Sequence, residues 1–215
     1  MATIDPIEKK TSNLYKKKQI IAISIIILIL FSFAFLDIGL SSSNQNSDSS
    51  ISASSAGNDD YRTDYSDIIL YVHQEDSFDE RMENELIIAL ETKGFSVILT
   101  DEIKEDYGSP FAFVNIIDRK MSYTPFYSKS DVDVLFGFSS SGKSENLDVV
   151  GSGEIKPIKF ISNTTNPYQL VVQGNIGLYD ETKGLFTYIS YQNHIAQEVA
   201  QSVAEGLDSQ IRKGQ

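Results

Sequence analysis

The sequence predicts an α/β two-layer sandwich over residues 66–215, with a mixed, mostly antiparallel sheet and two helices on one of its faces. Strand and helix patterns follow one another in the order β-α-β-β-β-β-α. Two segments place apolar residues at helical spacing, so each helix has one stripe to bury. Residues 168–179 alternate between apolar and polar side chains, as expected for a strand with one buried face.

The N-terminal 40 residues predict a single membrane-spanning helix. Lys16, Lys17 and Lys18 precede residues 19–36, which carry no charge, and apolar character continues to Leu40. A bilayer core of about 30 Å needs about 20 mostly apolar helical residues. We therefore predict a transmembrane helix over residues 19–40, behind a basic tail of residues 1–18.

The charges around this segment predict its orientation. Five lysines precede residue 19, and the first base after it is Arg62. The positive-inside rule puts the tail in the cytoplasm and the C-terminal domain outside a cell membrane that the chain crosses once. A cleavable signal peptide and a pilin-type leader are alternatives, although no A-x-A-like site follows closely and no Gly or Ala precedes Gln19. The second alternative would make the protein a pilin-like surface subunit.

Composition bounds the partners and the chemistry. The formal net charge is −12, and residues 1–40 carry five lysines against three acidic residues, which leaves −14 for the remainder. A domain this acidic repels phosphate backbones, so we expect no nucleic-acid partner. Cysteine is absent, which excludes disulfides, thiolate metal sites and cysteine nucleophiles.

Residues 41–65 are dominated by Ser, Asn, Asp and Gly. Almost none of these side chains gains free energy from burial, so burial cannot offset the entropy of ordering the segment. We predict a flexible linker between the membrane and the folded domain.

Residues 67–100 predict a β-α-β unit with parallel strands. Residues 67–73 and 95–100 are short apolar runs typical of buried strands. Between them, Ser77 and Glu80 match a capping box, and Gly94 is the expected residue beyond the helix end. The predicted buried stripe is Met82, Leu86, Ala89 and Leu90, widened by Ile87 and Ile88.

The rest of the domain predicts further strands and a final helix. The predicted strands are residues 111–118, 132–138, 155–161, 168–179 and 185–191, with Pro157 demoting the third to an edge. Residues 180–184 predict a hairpin turn in which Gly184 takes a positive φ. Asn193 is the predicted N-cap of a helix whose buried stripe is Ile195, Val199, Val203, Leu207 and Ile211.

One motif points to nucleotide chemistry. Gly137, Gly142, Lys143 and Ser144 fill the P-loop pattern G-x-x-x-x-G-K-[ST], in which backbone amides cradle phosphates and the lysine reaches their oxygens. A P-loop needs a helix that starts at the second glycine, yet Val149, Val150 and glycines follow. We interpret the motif as a chance match and keep a P-loop-like nucleotide-binding protein as the alternative function.

Other chemistry has less support. The only histidines, His73 and His194, form a metal site only if the fold brings them together with carboxylates, and we expect no metal and no cofactor. No G-x-S-x-G pattern marks a serine nucleophile. Asp131 and Asp133 alternate with apolar residues and are interpreted as a solvated strand face, with a carboxylate-based hydrolase as a rival.

Two surface features complete the candidates. Asn163 begins the only N-x-[ST] acceptor, which makes it a glycosylation candidate on the predicted outer side. Tyr123, Phe126 and Tyr127 lie in a loop-like stretch, and exposed aromatics there would suit a binding surface.

The run YQLVVQGNIGLYDETKGLFTYIS, followed by a helix, resembles the α/β domains of bacterial envelope-assembly proteins. These are the lipopolysaccharide-assembly lipoprotein, the penicillin-binding-protein activator lipoproteins and the amino-terminal domain of the Tol translocation protein. The resemblance rests on the order of elements and on Tyr179, Asp180 and Gly184, which match a Tyr-Asp-x-x-x-Gly hairpin turn. It implies a non-enzymatic role at the envelope. The chain differs in having a predicted transmembrane anchor and no acylated cysteine.

The sequence therefore predicts a membrane-anchored, extracytoplasmic binding or envelope-assembly module without catalysis. Its expected partners are the membrane, through the N-terminal helix, and a protein or other component of the cell envelope.

Overall fold

A computed structural model describes residues 17–29, 31, 39–57, 65–145, 159–160 and 168–214. The helices are α1 (residues 17–29), α2 (Ser77–Thr92) and α3 (Tyr188–Gly214). The strands are β1 (Gly39–Gly57), β2 (Asp67–Val72), β3 (Ser96–Leu99), β4 (Phe111–Thr124), β5 (Tyr127–Ser139), β6 (Ser144–Glu145), β7 (Lys159–Phe160) and β8 (Tyr168–Phe186).

The predicted α/β class is confirmed by a mixed sheet with helices packed on it. Six strands pair in the order β1-β8-β5-β4-β2-β3, and β6 pairs with β7 separately. β2 is parallel to both β3 and β4, whereas β4–β5, β5–β8 and β8–β1 are antiparallel. The sheet is therefore parallel at one side and antiparallel at the other.

The helices α2 and α3 cover the same face of the sheet. Met82 and Leu86 of α2 join Val199 and Val203 of α3 in one buried cluster with alternate residues of the strands. The stripe predicted for α3 is confirmed, because all five of its residues are fully buried. At about 2 kcal/mol for each buried aliphatic side chain, this stripe is a main source of stability. We call the sheet face without helices the open face.

The ends of α2 refine the prediction. Asp76 is the N-cap, and Asp79 completes the capping box, instead of Ser77 and Glu80. Gly94 follows the C-cap with φ +93°, and the amides of Gly94 and Phe95 bond to the carbonyls of Glu91 and Leu90, as in a Schellman motif. Ile88, predicted to widen the buried stripe, is 58% exposed.

β8 runs through the predicted hairpin turn. Residues 180–184 pair with β5 on one side and β1 on the other, and Gly184 has φ +136° within the strand. Asp180 is fully buried, where its carboxylate accepts hydrogen bonds from the hydroxyls of Ser43 and Thr182. The turn prediction is wrong because local composition does not show these distant partners.

The hairpin lies elsewhere, between β4 and β5. The two strands are longer than predicted and meet at Pro125 and Phe126, with Thr124 paired to Tyr127. The amides of Gly184 and Phe186 bond to the carbonyls of Phe126 and Pro125. The tip of this hairpin is thus attached to the end of β8.

Residues 41–57 of the predicted flexible linker (residues 41–65) belong to β1 (Gly39–Gly57), and residues 58–64 lie outside the described ranges. All residues of β1 have register partners in β8, from Gly39 opposite Phe186 to Gly57 opposite Tyr168. Strand pairing needs backbone groups and not apolar side chains, so a serine-rich segment can supply it. Ile51 adds an apolar contact, since it packs against the core beside Gly206 of α3.

α3 begins earlier than predicted and takes residues 188–191 of the strand expected over residues 185–191, whereas residues 185 and 186 end β8. Thr187, immediately before Tyr188, accepts hydrogen bonds at its hydroxyl from the amide of Ser190 and at its carbonyl from the amide of Tyr191. Thr187 therefore caps the helix, and the predicted cap Asn193 lies inside α3.

Three other predictions concern residues that lie partly or wholly outside the described ranges or that the structure leaves untested. Residues 161–167, which include Asn163, and most of the predicted strand over residues 155–161 lie outside them. Within these ranges, no helix combines the length and the apolar character that crossing a membrane requires. The transmembrane helix over residues 19–40 stays a prediction, and its last two residues lie in β1.

His194 links α3 to β8 and to β1. Its Nε2 lies 3.5 Å from the carboxylate of Asp180 and 3.1 Å from the side-chain amide of Gln45. The hydrogen bond with Asp180 raises the pKa of His194, although burial acts in the opposite direction. Burial raises the pKa of Asp180, but hydrogen bonds with His194, Ser43 and Thr182 outweigh it and leave that pKa below its ordinary value.

We predict that this pair makes stability depend on pH. A raised histidine pKa contributes stability that is complete below the ordinary value of 6.5 and is lost as pH rises through the folded value. Chemical unfolding of the wild type should therefore show stability that decreases as pH rises above 6.5 and through the raised pKa of His194. His194→Gln should lose about 1–3 kcal/mol at the lower pH and show a flatter profile. Parallel profiles for the two proteins would contradict the assignment.

Candidate functional site: the sheet edge at β3

The sheet ends at β3, and in the part of the chain that the structure describes no strand pairs with its outer side. The amides of Ser96 and Thr100 bond to carbonyls before and within β2. Because backbone groups alternate in direction along a strand, the amides and carbonyls of Val97 and Leu99 point to the outer edge. Such an edge is a template for another strand.

The edge strand carries apolar side chains on both of its faces. Ile98 pairs with Ile69 and lies on the open face, where it is 57% exposed. Leu99 pairs with Leu70 and lies on the helix face, where it is 45% exposed. An edge that is both unpaired and apolar favours association with another polypeptide.

A cleft of about 590 Å³ adjoins this edge, and we call it the β2–β3 cleft. It lies at the carboxyl ends of parallel strands, where α/β folds commonly bind ligands. Its lining residues come from β2 and the loop after it, from α2, and from β3 and the loop after it. They are Tyr71, Val72, His73, Gln74, Glu83, Leu99, Thr100 and Asp101.

The β2–β3 cleft is acidic. Glu83 and Asp101 are part of its lining, and the lining includes neither lysine nor arginine among the described residues. Burial raises the pKa of Glu83, and the nearby charge of Glu80 acts in the same direction against a hydrogen bond with Gln74. A cation placed beside Glu83 would relieve this cost, so the cleft suits a positively charged group.

An ion-pair cluster joins the start of α2 to β4. Arg119 contacts the carboxylates of Asp76 and Asp79, and its guanidinium lies 4.6 Å from the ring centre of Phe78. The hydrogen bond from Arg119 lowers the pKa of Asp76, against the effect of burial. A β-bulge between Ile116 and Asp118 directly precedes Arg119. The cluster holds the start of α2 against β4 and so fixes one wall of the site.

The structure gives the P-loop residues structural contacts. Gly137 lies inside β5, and Ser144 begins β6 where a P-loop would begin a helix. Nζ of Lys143 lies 3.2 Å from the carboxylate of Asp106. Gly142 has φ +70°, and a Cβ there would lie 2.2 Å from the carbonyl oxygen of Ser109. These contacts explain the glycine and the lysine without a phosphate.

The three aromatic candidates share the β4–β5 hairpin but differ in exposure. Tyr123 lies in β4, donates a hydrogen bond to the carbonyl of Phe186 at 2.8 Å, and is partly buried. Tyr127 begins β5, and its hydroxyl bonds to Glu181. Phe126, at the tip, is 68% exposed.

The titratable candidates lie in separate surroundings. His73 lies near Glu75 at the end of β2, whereas His194 contacts Asp180. Asp131 and Asp133 line a groove on the open face with Asp48 of β1. Within the described ranges, no group of three or more histidine and acidic side chains is placed to hold a metal ion.

The sequence did not identify Ile98 and Leu99 as site residues. The run from residue 95 to residue 100 predicted a strand, but an apolar strand has the same pattern in the middle of a sheet and at its edge. The strand order shows that β3 has one neighbour among the described strands.

The sequence matches no protein-family model and no curated protein. Similar solved structures include a PelC dodecamer from Paraburkholderia phytofirmans and a variant of it, each 10% identical, with TM-scores of 0.37 and 0.35 over 74% of this chain and 97% of theirs. A minor lipoprotein from Acinetobacter baumannii is 10% identical, with a TM-score of 0.29 over 67% of this chain and 92% of its own. Likenesses this distant carry no functional argument.

The burial of Glu83 leads to a prediction about stability. Because its folded pKa is raised, ionised Glu83 reduces the stability of the fold, and stability from this group increases as pH falls through the carboxylate range. Glu83→Gln should raise the midpoint of unfolding at neutral pH, and its advantage over the wild type should shrink in acid. The exposed Glu91 on the same helix provides the control, since Glu91→Gln should change neither. A lower midpoint for Glu83→Gln at neutral pH would contradict the assignment.

Proposed function

We propose that the protein is a membrane-tethered, extracytoplasmic binding or envelope-assembly module without catalysis, which takes an extended segment of a partner protein onto the β3 edge. The observation that carries the proposal is the outer edge of β3, which pairs with no strand of the described residues and has Ile98 and Leu99 exposed on its two faces. In β-strand addition, main-chain hydrogen bonds supply affinity and alternate side chains supply specificity.

The chemistry of the edge defines the partner segment. Apolar side chains on both faces of the incoming strand match Ile98 and Leu99. Leu99 also lines the acidic β2–β3 cleft, so a lysine or arginine beyond the apolar residues would reach Glu83 or Asp101. We therefore propose an extended, apolar segment that is followed or preceded by a basic residue.

The proposed membrane tether is argued from the properties of the N-terminal helix α1. α1 carries large apolar residues from Ile20 to Ile29, each more than half exposed, and Lys17 and Lys18 begin it. A helix with apolar side chains this exposed needs an apolar environment, which a bilayer provides. The lysines before it and the acidic body after it favour an outward-facing body.

The absence of catalysis is part of the proposal. The charged side chains that could take part in catalysis form ion pairs that give each of them a structural role. Arg119 binds Asp76, Lys143 binds Asp106, and His194 binds Asp180.

Site-specific photo-crosslinking tests the proposed edge. A benzoyl-phenylalanine in place of Ile98 in the full chain, in its own membrane, should crosslink to one partner segment. The matched control replaces Ile88, which has nearly the same exposure but lies on α2. The recovered segment should be extended and apolar with a neighbouring basic residue. Equal adducts at both positions, or a recovered segment of other chemistry, would contradict the proposal.

Substitutions then separate strand addition from simple apolar contact. Ile98→Lys and Ile88→Lys should each change stability by less than about 0.5 kcal/mol, because both side chains are exposed. Only Ile98→Lys should abolish binding of a peptide with the crosslinked sequence. Leu99→Pro removes the outward amide and should weaken binding more than Leu99→Ala, which retains it. Equal losses for the two Leu99 variants would exclude main-chain pairing.

A further inference from the structure

The strand register places the N-terminal segment next to the β4–β5 hairpin. Gly39, the first residue of β1, pairs with Phe186 at the end of β8. The amide of Phe186 bonds to the carbonyl of Pro125, and the amide of Gly184 bonds to that of Phe126. The chain therefore enters the sheet at the end where the hairpin tip lies.

Covalent geometry limits how far that end can lie from α1. Eight residue steps separate Phe31, the last described helical residue, from Gly39. An extended chain spans at most about 29 Å over eight steps. With α1 in a bilayer, this link keeps the hairpin end of the sheet within about 29 Å of the described end of the helix.

The residues at this end form a surface suited to a bilayer, which we call the tip surface: Leu40, Phe126, Tyr127, Lys129, Lys183 and Leu185. Phe126 is 68% exposed and Leu40 is 75% exposed. Leu40 pairs with Leu185 on the open face, so the apolar side chains continue from β1 to β8. Tyr127 lies two residues further from the end, paired with Lys183.

The lysines of the tip surface surround its tyrosine. Nζ of Lys129 lies 5.5 Å from the ring centre of Tyr127, and Nζ of Lys183 lies 5.8 Å from it. Glu181 is the acidic neighbour, 3.6 Å from Lys129. Among the described residues of the tip surface and its neighbours, two lysines face one glutamate, whereas the chain as a whole has a net charge of −12.

Charge and polarity change in order along the open face. Leu40 and Leu185 form the first row, and Tyr127 and Lys183 form a row about 7 Å further on. Asp131 and Tyr179 form a row about 20 Å from the first, beside the groove that Asp48 and Asp133 line. This order of rows matches a membrane interface, where apolar groups reach the acyl boundary and aromatic and basic groups lie among the headgroups.

We infer that the tip surface docks on the outer face of a bilayer that contains anionic lipids, with Phe126 and Leu40 at the acyl boundary and Lys129 and Lys183 at the headgroups. The inference rests on the proposed membrane tether. It adds a fixed orientation, with β8 directed toward the membrane and the acidic groove held away from it. The two contacts reinforce each other, because the tether gives the tip surface a high effective concentration at the membrane.

Tryptophan fluorescence tests the docking. The chain has no tryptophan, so Phe126→Trp introduces a unique reporter at the tip. The full chain is reconstituted in vesicles of phosphatidylcholine and phosphatidylglycerol with or without brominated acyl chains, and flotation first shows whether it is membrane-bound. Tyr179→Trp is the matched control, 41% exposed on the same face and further from the tip. We expect brominated lipid to quench Phe126→Trp at least about threefold more than Tyr179→Trp, because interfacial aromatics lie within reach of the chains.

Each outcome separates the docking from the tether. A chain that floats with the vesicles but shows equal quenching at both positions overturns the docking and leaves the tether standing. A chain that does not float overturns both.

The lysines supply a second readout. Lys129→Gln with Lys183→Gln, in the Phe126→Trp background, should lower the quenching, and added salt should do the same to the parent. Lys120→Gln, further along β4 and paired with Asp118, is the control that should leave the quenching unchanged. Equal effects of the control and the double variant would overturn the role of the lysines.

Discussion

The antiparallel pairing of β1 with β8 is the constraint on which the rest of the structure depends. It places β8 inside the sheet, closes one edge of the body and leaves β3 as the other edge. Side chains hold the pairing in the half of β1 that begins at Gly39, where Ser43 bonds to Asp180 and Gln45 lies beside His194. A buried carboxylate is costly without partners, so Asp180 strongly favours the arrangement that supplies them. The same pairing makes the serine-rich segment an edge strand of the sheet.

The two edges of the sheet, its hairpin end and its open face therefore differ in polarity and charge. The edge at β1 is polar, which suits an edge strand that should not recruit other chains. The edge at β3 is short and apolar, and it adjoins an acidic cleft. The hairpin end carries aromatic and basic residues, whereas the middle of the open face is acidic. The proposed membrane contact and the proposed partner contact therefore use separate surfaces and do not compete.

Much of the fold follows from patterns that act over short distances. The stripe of α3, the alternation in β8 and the parallel β2-α2-β3 unit could all be predicted, because each depends on periodicity within one segment. Gly94 was predicted correctly at the end of α2 because a positive φ there favours glycine.

The errors came from interactions between distant segments. The residues around Asp180 have the composition of a turn, but they continue as a strand because they pair with β5 and β1 and because Asp180 contacts the distant Ser43 and His194. The segment around Ser50 has the composition of a linker, but strand pairing depends on backbone groups that every sequence offers. The candidate site was missed for a related reason, since Ile98 and Leu99 are significant only because β3 is last in the strand order.

The proposed position of the body outside the membrane is the central claim, and cysteine labelling tests it most directly. The chain has no cysteine, so Asn175→Cys on the exposed open face creates a single reactive thiol. A membrane-impermeant maleimide should label this variant in intact cells as fully as in lysed cells, and the labelled chain should remain in the membrane fraction. Labelling that appears only after lysis would place the body in the cytoplasm and contradict the account.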